Sequence, residues 1–523
     1  MHKIEEIDGN ALDALIERLN EAKKYELTLS AEDIELLLSA LATLATLQDR
    51  LTSNDVTIHK LRKLLGMVSS SEKLSALLKQ PAKSKPKRKK PAKPAARVKP
   101  EVVHHHHETL SKGDRCHCCE KGTLSKYEPA TLLRITGNSP YQATQHISER
   151  LRCNACGQYF TATLPKAVLA DGDSNQKYGY SARSIMAIGK YFMGSPFFRQ
   201  ESLQAVLGMP VSASTVFDQC EKVADSLHPI YKALLKIAAN AIHFHLDDTT
   251  HHILDQKEIT KPRRHSNTTQ QRTGTYASGL IATTHESHEI VLFQTNIGHA
   301  GEWIDEVLQK RDPGQAPPLL MSDALSSNKP SQVEVIQALC NSHARRQFVD
   351  LLAHFPDEVD DVLAQYKLIW NHDDHTKKAQ MSPSERLDYH HEHSLPVMES
   401  IRQWGQNQLD QELTEENSGL GKAIRYFLRH YDGLTRFCTI AGAKIDNNIM
   451  EAQLKLIVRG RKNFSFYKTL AGAAISDIIT SVIATCVQNE ANPFDYLNAI
   501  QRHQERVKED PIAWLPWNYQ RNS

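Results

Sequence analysis

The chain has 523 residues, 40% hydrophobic and 24% charged, and its 63 basic and 61 acidic side chains leave a net charge of +2. That length exceeds a single hydrophobic core and requires several domains, and the composition is that of a globular rather than a fibrous or disordered chain. No apolar run reaches the roughly 18 residues that span a bilayer, and the acidic, polar start MHKIEEIDGN is no secretory signal. A cytoplasmic, bacterial-type location is therefore expected, and the nine cysteines are not read as a disulfide framework.

Residues 1–78 are expected to be helical. Leu44, Leu51, Ile58 and Leu65 recur every seven residues, with Leu47, Asn54 and Leu61 in the second seam position, a pattern that suits a short coiled coil or an intramolecular helical hairpin. Residues 79–108 form a linker: PAKSKPKRKKPAKPAARVKP carries nine Lys or Arg and no acid, and it serves as a solvated spacer, a phosphate-binding tether, or both. Residues 109–168 hold two paired knuckles, Cys116-x-x-Cys119 and Cys153-x-x-Cys156, whose four thiolates satisfy tetrahedral structural zinc. Over 175–238, ESLQAVLGMPVSASTVFDQC predicts a helix, a break at Gly208-Met209-Pro210 and a second helix capped near Ser212 or Ser214. Read as a helix-turn-helix, that pattern puts Ser214, Thr215 and Asp218 near the start of a DNA-reading helix; read blandly, it is two short helices joined by Gly and Pro.

The period then changes. AIHFHLDD (241–248) alternates as a strand does, 274–296 reads as a hairpin, and APPLLMSDALSSN is a short apolar strand ending at Ser322-Asp323. Helices fill 350–440 and follow again after 441. Strands in the middle and helices after them imply a mixed α/β core, 239–349 with 441–490, interrupted by a helical insertion at 350–440 and followed by a tail at 491–523.

Three acids fall at ends of separate elements: Asp247 (with Asp248 beside it), Asp323 and Glu451. Converged carboxylates repel unless a cation neutralises them, and two magnesium or manganese ions would do so while activating a nucleophile at phosphorus. Around Glu451, the residues Asn448, Glu451, Lys455 and Arg459 share one helical stripe, and apolar residues occupy most of the remaining circumference, so burial on nearly every other side is expected. Asn448-x-x-Glu451 also reads as a capping box, and Glu451 with Lys455 as an i,i+4 pair. Arg461 and Lys462 continue the basic character as a phosphate-facing surface, and His343, Arg345 and Arg346 are either DNA contacts or helix-capping, solvated residues.

With these motifs in order, the sequence resembles the transposases of insertion-sequence family 66. KLLGMVSSSEKL, the paired cysteines, HLDDTT, SDAL, CNSHARRQF, DNNIMEAQLKLIVRGRKNFSFYKT, NPFDYL and AWLPWNY carry the likeness over nearly the whole chain. The resemblance implies a multidomain protein with a ribonuclease-H-like catalytic core and helical insertion, preceded by helical, zinc-ribbon and helix-turn-helix-like parts. It implies Asp247, Asp323 and Glu451 as the catalytic, metal-binding triad, two Mg²⁺ or Mn²⁺ ions per site, and structural Zn²⁺. It also implies DNA partners (terminal inverted repeats and target DNA), a homo-oligomer with or without accessory proteins of the element, and a nucleoid-associated location with no membrane partner. Two departures stand out: Asp248 replaces the usual Glu and competes with Asp247, and Ala452 replaces an Arg after the third acid. The competing reading is a non-catalytic, zinc-containing DNA-binding or repressor relative.

Overall fold

The computed structural model describes residues 18–19, 30–31, 33–34, 112–115, 123, 139–152, 159–173, 175–262, 269–272 and 274–521. The expected coiled coil, the basic linker and the expected zinc ligands Cys116, Cys119, Cys153 and Cys156 lie outside the described residues. The chain divides into two compact units, Met1–Glu101 and Val102–Ser523, and the elements below belong to the second.

A short antiparallel hairpin, β1 (Arg150–Arg152) with β2 (Tyr159–Thr161), is followed by the single turn α1 (Lys166–Leu169). Helix α2 (Tyr180–Ala187) runs directly into a π-helical turn at Ile188–Phe192, and α3 (Phe197–Val206) comes next. The break appears where the sequence puts it, with Gly208 at φ +81, a conformation that side chains resist. Helix α4 (Ala213–Ala239) then starts at Ser212, whose hydroxyl accepts the Thr215 N–H. It runs for 27 residues and buries Val216, Cys220, Val223, Leu227, Ile230 and Leu234, spaced alternately four and three, in the main core. The second helix of the expected helix–break–helix is thus a strut of that core.

The sheet follows. Strand β3 (His243–His251) leads through a small hairpin, β4 (Ile259–Pro262) with β5 (Thr269–Arg272), into the expected larger one, β6 (Thr275–Thr283) with β7 (Glu289–Asn296). After α5 (Ala300–Leu308) come β8 (Leu319–Ser322) and β9 (Ile336–Leu339). The five strands stand in the order β7-β6-β3-β8-β9. In the first three each neighbour pair is antiparallel, while β8 lies parallel to β3 and β9 parallel to β8. Helix α6 (Asn341–Val349) opens a helical stretch continued by α7 (Pro356–Lys378), α8 (Pro383–His393), α9 (Leu395–Asp410) and α10 (Gly419–Leu434). Their apolar faces form a second core around Tyr366, Ile401, Ile424 and Phe427, continuous with Leu319, Met321 and Leu339 of the sheet.

Helices α11 (Asn448–Phe464) and α12 (Leu470–Gln488) return to the sheet, and α13 (Pro493–Arg502) and α14 (Gln504–Glu509) close the chain with Tyr496, Ile500, Val507 and Trp514 in the main core. Contrary to the sequence reading, α12 is by length and composition apolar enough to cross a membrane, with a mean hydropathy of 1.8. Its packing explains this: Ile479, Val482 and Ile483 lie in the main core. Its polar residues have a separate task. Asp477, Ser481 and Thr485 accept the N–H groups of Thr295, Phe293 and Val291 at 2.7, 2.8 and 3.0 Å, and Asn489 accepts that of Glu289 at 3.4 Å. Four helical residues rise about 6 Å and two strand residues about 6.8 Å, so the two ladders keep step. The edge of β7, which would otherwise offer unpaired backbone to another chain, is closed by side chains.

Candidate active site

Strands β3 and β8 are parallel neighbours in register through His245 and Met321. Two residues further along the chain from these partners stand Asp247, within β3, and Asp323, just past the end of β8, on the same side as those partners because side chains alternate. Burial pushes the Asp247 carboxyl up to about 7, and the negative charges of Asp323, Asp248 and Glu451 push the same way; the Asp248 N–H, donating at 2.9 Å, opposes them. Asp323 is 9% exposed, and one of its oxygens accepts both Asn328 Nδ2 at 2.8 Å and the Leu325 N–H at 3.2 Å.

Asp248 turns away. Its carboxylate sits at the start of α5, 3.1 Å from His299 Nδ1 and 3.4 Å from the Ala300 nitrogen. Among the two adjacent acids, Asp247 is therefore the one that faces Asp323.

Glu451 arrives from α11, and the start of that helix is fixed by a residue that sequence reasoning passed over. Asn447 is fully buried; its amide donates to the Leu246 carbonyl at 3.0 Å, its Oδ1 lies 3.0 Å from His245 Nδ1, and its backbone N–H reaches Cys340 Sγ at 3.2 Å. Burial holds His245 neutral, lowering it to about 4, as an uncharged hydrogen-bond partner requires. Opposite Asp247 in the β3–β6 register is Gly279, where an added Cβ would come within 2.3 Å of Met450 Cε. A glycine there lets α11 lie against the sheet with Glu451 one residue beyond Met450. The Asp-Asn-Asn cluster before the helix was the available signal for Asn447, but its partners come from β3 and from the start of α6.

The expected capping box is not formed. Asn448 is the first helical residue, and its amide donates to Asp446 at 2.9 Å. Glu451 Oε1 is buried without a hydrogen bond among the described residues, and the side chain beside it is His343, whose Nε2 lies 3.7 Å away, not Lys455. His343 Nδ1 is likewise buried and unbonded. Cys340, His343 and Glu451 each bring a ligand atom within 4.8 Å of the others, and burial raises the Cys340 thiol to about 11, which keeps it protonated.

The predicted basic residues divide. On α11 the stripe of Asn448, Glu451, Lys455, Arg459 and Lys462 is open to solvent or half so, while Met450, Leu454, Ile457 and Gly460 are buried. Burial is thus confined to one face, with Ala452 exposed, narrower than the sequence reading held. Lys455 and Lys462 are exposed, and their side chains make no hydrogen bond or ion pair among the described residues. Arg459 bonds the Phe192 carbonyl and lies over the Phe192 ring, and Arg461 bonds Thr249 and Thr250 of β3, so both hold the protein together. Arg346 is exposed and Arg345 half-buried on α6. Ser214 is exposed at the start of α4, whereas Thr215 is taken up by the Ser212 cap.

A mixed α/β protein with carboxylates gathered on two adjacent parallel strands, one within β3 and one at the end of β8, and on a helix packed against the sheet is the class these elements define. The model of the Transposase IS66 family matches residues 177–475, over half of the chain, which takes in all three acids. The chain belongs to that family. Among curated relatives, uncharacterized protein y4hP of Sinorhizobium fredii is 22% identical over 463 residues, 82% of this chain and 78% of the relative. Uncharacterized protein y4qI of the same organism is 23% identical over 348 residues, 64% of this chain and 62% of the relative. Uncharacterized protein y4jD is 29% identical over 193 residues, 35% and 36% of the two chains.

Proposed function

We propose that this transposase-family protein cuts and joins DNA by phosphoryl transfer at Asp247, Asp323 and Glu451, acting on the ends of an insertion sequence and on target DNA. The observation that carries the reading is the state of Asp247: a carboxyl raised to about 7 by burial and by three neighbouring acids, with no Lys or Arg paired to any member of the triad among the described residues. Such a group calls for a divalent cation, and the unbonded oxygen of Glu451 adds a donor suited to one. Carboxylate oxygens fit the hard ions Mg²⁺ and Mn²⁺, and Asp247, Asp323 and Glu451 would hold them. Bound there, the ions supply charge neutralisation and nucleophile activation at phosphorus.

The chain's own contribution is positioning. Asn328 and the Leu325 N–H orient Asp323, Asn447 seats the helix that carries Glu451, and His343 stands beside the Glu451 carboxylate. The strand order, with three antiparallel strands followed by two parallel ones, supports a ribonuclease-H-like core, with 350–440 as its insertion. The zinc-binding segment, the basic linker and the region around Ser214 would hold the element ends.

The test uses purified protein, Mg²⁺ and DNA carrying the element ends. Asp323→Asn is expected to bind the ends and fail to cut them. Normal cutting by that variant would sink the site.

A further inference from the structure

The most unusual backbone near the site is where α11 ends. Ser465 takes φ 65 and ψ −42, and the Phe466 N–H donates to the Phe464 carbonyl at 2.7 Å. That is a three-residue γ-turn of the strained kind, at a residue with a side chain. The turn sorts three aromatic rings in four residues. Phe464 turns inward beneath the Lys190 ammonium, 3.2 Å from the ring centroid. Tyr467 also turns inward, stacking on His251 at 4.7 Å and reaching Ser476 Oγ with its hydroxyl at 2.5 Å, while its backbone pairs with His252 and Leu254. Phe466, between them, is turned out and 43% exposed, its only ring neighbour among the described residues being the edge of His252 at 6.4 Å. A strained backbone between two anchored residues thus holds an apolar ring in solvent.

The surroundings are cationic. Lys462 and Lys468 flank the ring in sequence and are both exposed. Glu451, Lys455, Arg459 and Lys462 follow one another at four, four and three residues, so one helix face leads from the proposed catalytic acid to this turn, with Lys455 and Lys462 as its open cations and Arg459 bonded to the Phe192 carbonyl. The nearest acid by backbone pairing is Asp255, whose N–H meets the Lys468 carbonyl; its carboxylate forms no ion pair with Lys468.

We propose that Phe466 stacks against an unpaired base of the DNA strand whose phosphates follow this stripe. The inference rests on the DNA-processing reading above. Exposed aromatic rings interleaved with cations are what unpaired nucleic acid recognises, since every base offers a π-face. From Glu451 to Phe464 the helix rises about 20 Å, so a strand tracking it at roughly 3.4 Å per nucleotide reaches Phe466 about six nucleotides from the cleaved bond.

The experiment compares the full chain and its variants on a single-stranded oligonucleotide carrying 2-aminopurine and on the matching fully paired duplex. Wild-type protein is expected to bind both and to change the fluorescence of the unpaired label. Phe466→Ala should weaken single-strand binding about tenfold and abolish that change, with duplex affinity and melting temperature kept. Phe466→Trp should retain all of them, and so should Ser465→Gly, because glycine accepts the positive φ. Unchanged single-strand affinity and signal in Phe466→Ala overturns the inference, as does an equal loss on duplex. If wild-type protein binds neither DNA, the DNA-processing reading falls and this inference with it.

Discussion

Helices α11 and α12 are neighbours in the chain, pack on the same sheet and carry polar stripes of nearly the same spacing, yet the stripes have opposite fates. On α12, Asp477, Ser481, Thr485 and Asn489 point inward and are consumed by the backbone of β7. On α11, Glu451, Lys455 and Lys462 point outward or into the acid cluster and are left without hydrogen bonds among the described residues. The two aspartates that bear on these helices make the same contrast. Asp477 and Asp247 are both raised to about 7, but burial alone raises Asp477, against two bonds donated by Thr295, whereas other carboxylates help to raise Asp247. A raised carboxyl marks a candidate site when its neighbours share its sign, and marks structure when donors satisfy it.

The sharpest way to break this contrast is Glu451→Gln. A capping or packing glutamate tolerates the change, while the proposed ligand does not, so cleavage of end-bearing DNA by the purified variant should fall by roughly 10²–10³ with DNA binding kept. Cleavage near the wild-type rate would return Glu451 to a structural role. On the other helix the expected loss is stability. Ser481→Ala strands the buried Phe293 N–H and should destabilise the fold by about 1–3 kcal/mol in denaturant unfolding, without changing cleavage per folded molecule. A variant as stable as wild type would show that the ladder does not hold the edge strand.

A separate effect concerns pH. Because the folded state holds the Asp477 proton more tightly than the unfolded chain, its contribution is present below about pH 4 and is lost as pH rises through about 7. The slope is at most about 1.4 kcal/mol per pH unit. Asp477→Asn should flatten that part of the stability–pH curve, and an unaltered curve would remove Asp477 as its source.

Much of the fold could be read from local pattern. Alternation in HFHLDD, the paired runs of 274–296 and the break at Gly208 each correspond to an observed element, because strand and helix periods and glycine's positive φ are local properties. Other features could not be read. The length of α4 depends on a core assembled from distant segments, and the apolarity of α12 depends on the sheet it covers. Asn447 looks like one more polar residue before a helix until Leu246, His245 and Cys340 surround it.

By itself the sequence determined which residue types were available and at what spacing: three acids on separate elements, and a cationic stripe at helical period. Tertiary structure alone decided that Asp247 rather than Asp248 faces Asp323, that Arg459 and Arg461 bond to protein while Lys455 and Lys462 stay open, and that Glu451 is released from capping. The physical reason is the same in each case. Spacing sets the direction in which a side chain leaves its own backbone, but hydrogen bonds and charges are shared with whatever the fold brings opposite, and those partners lie tens to hundreds of residues away.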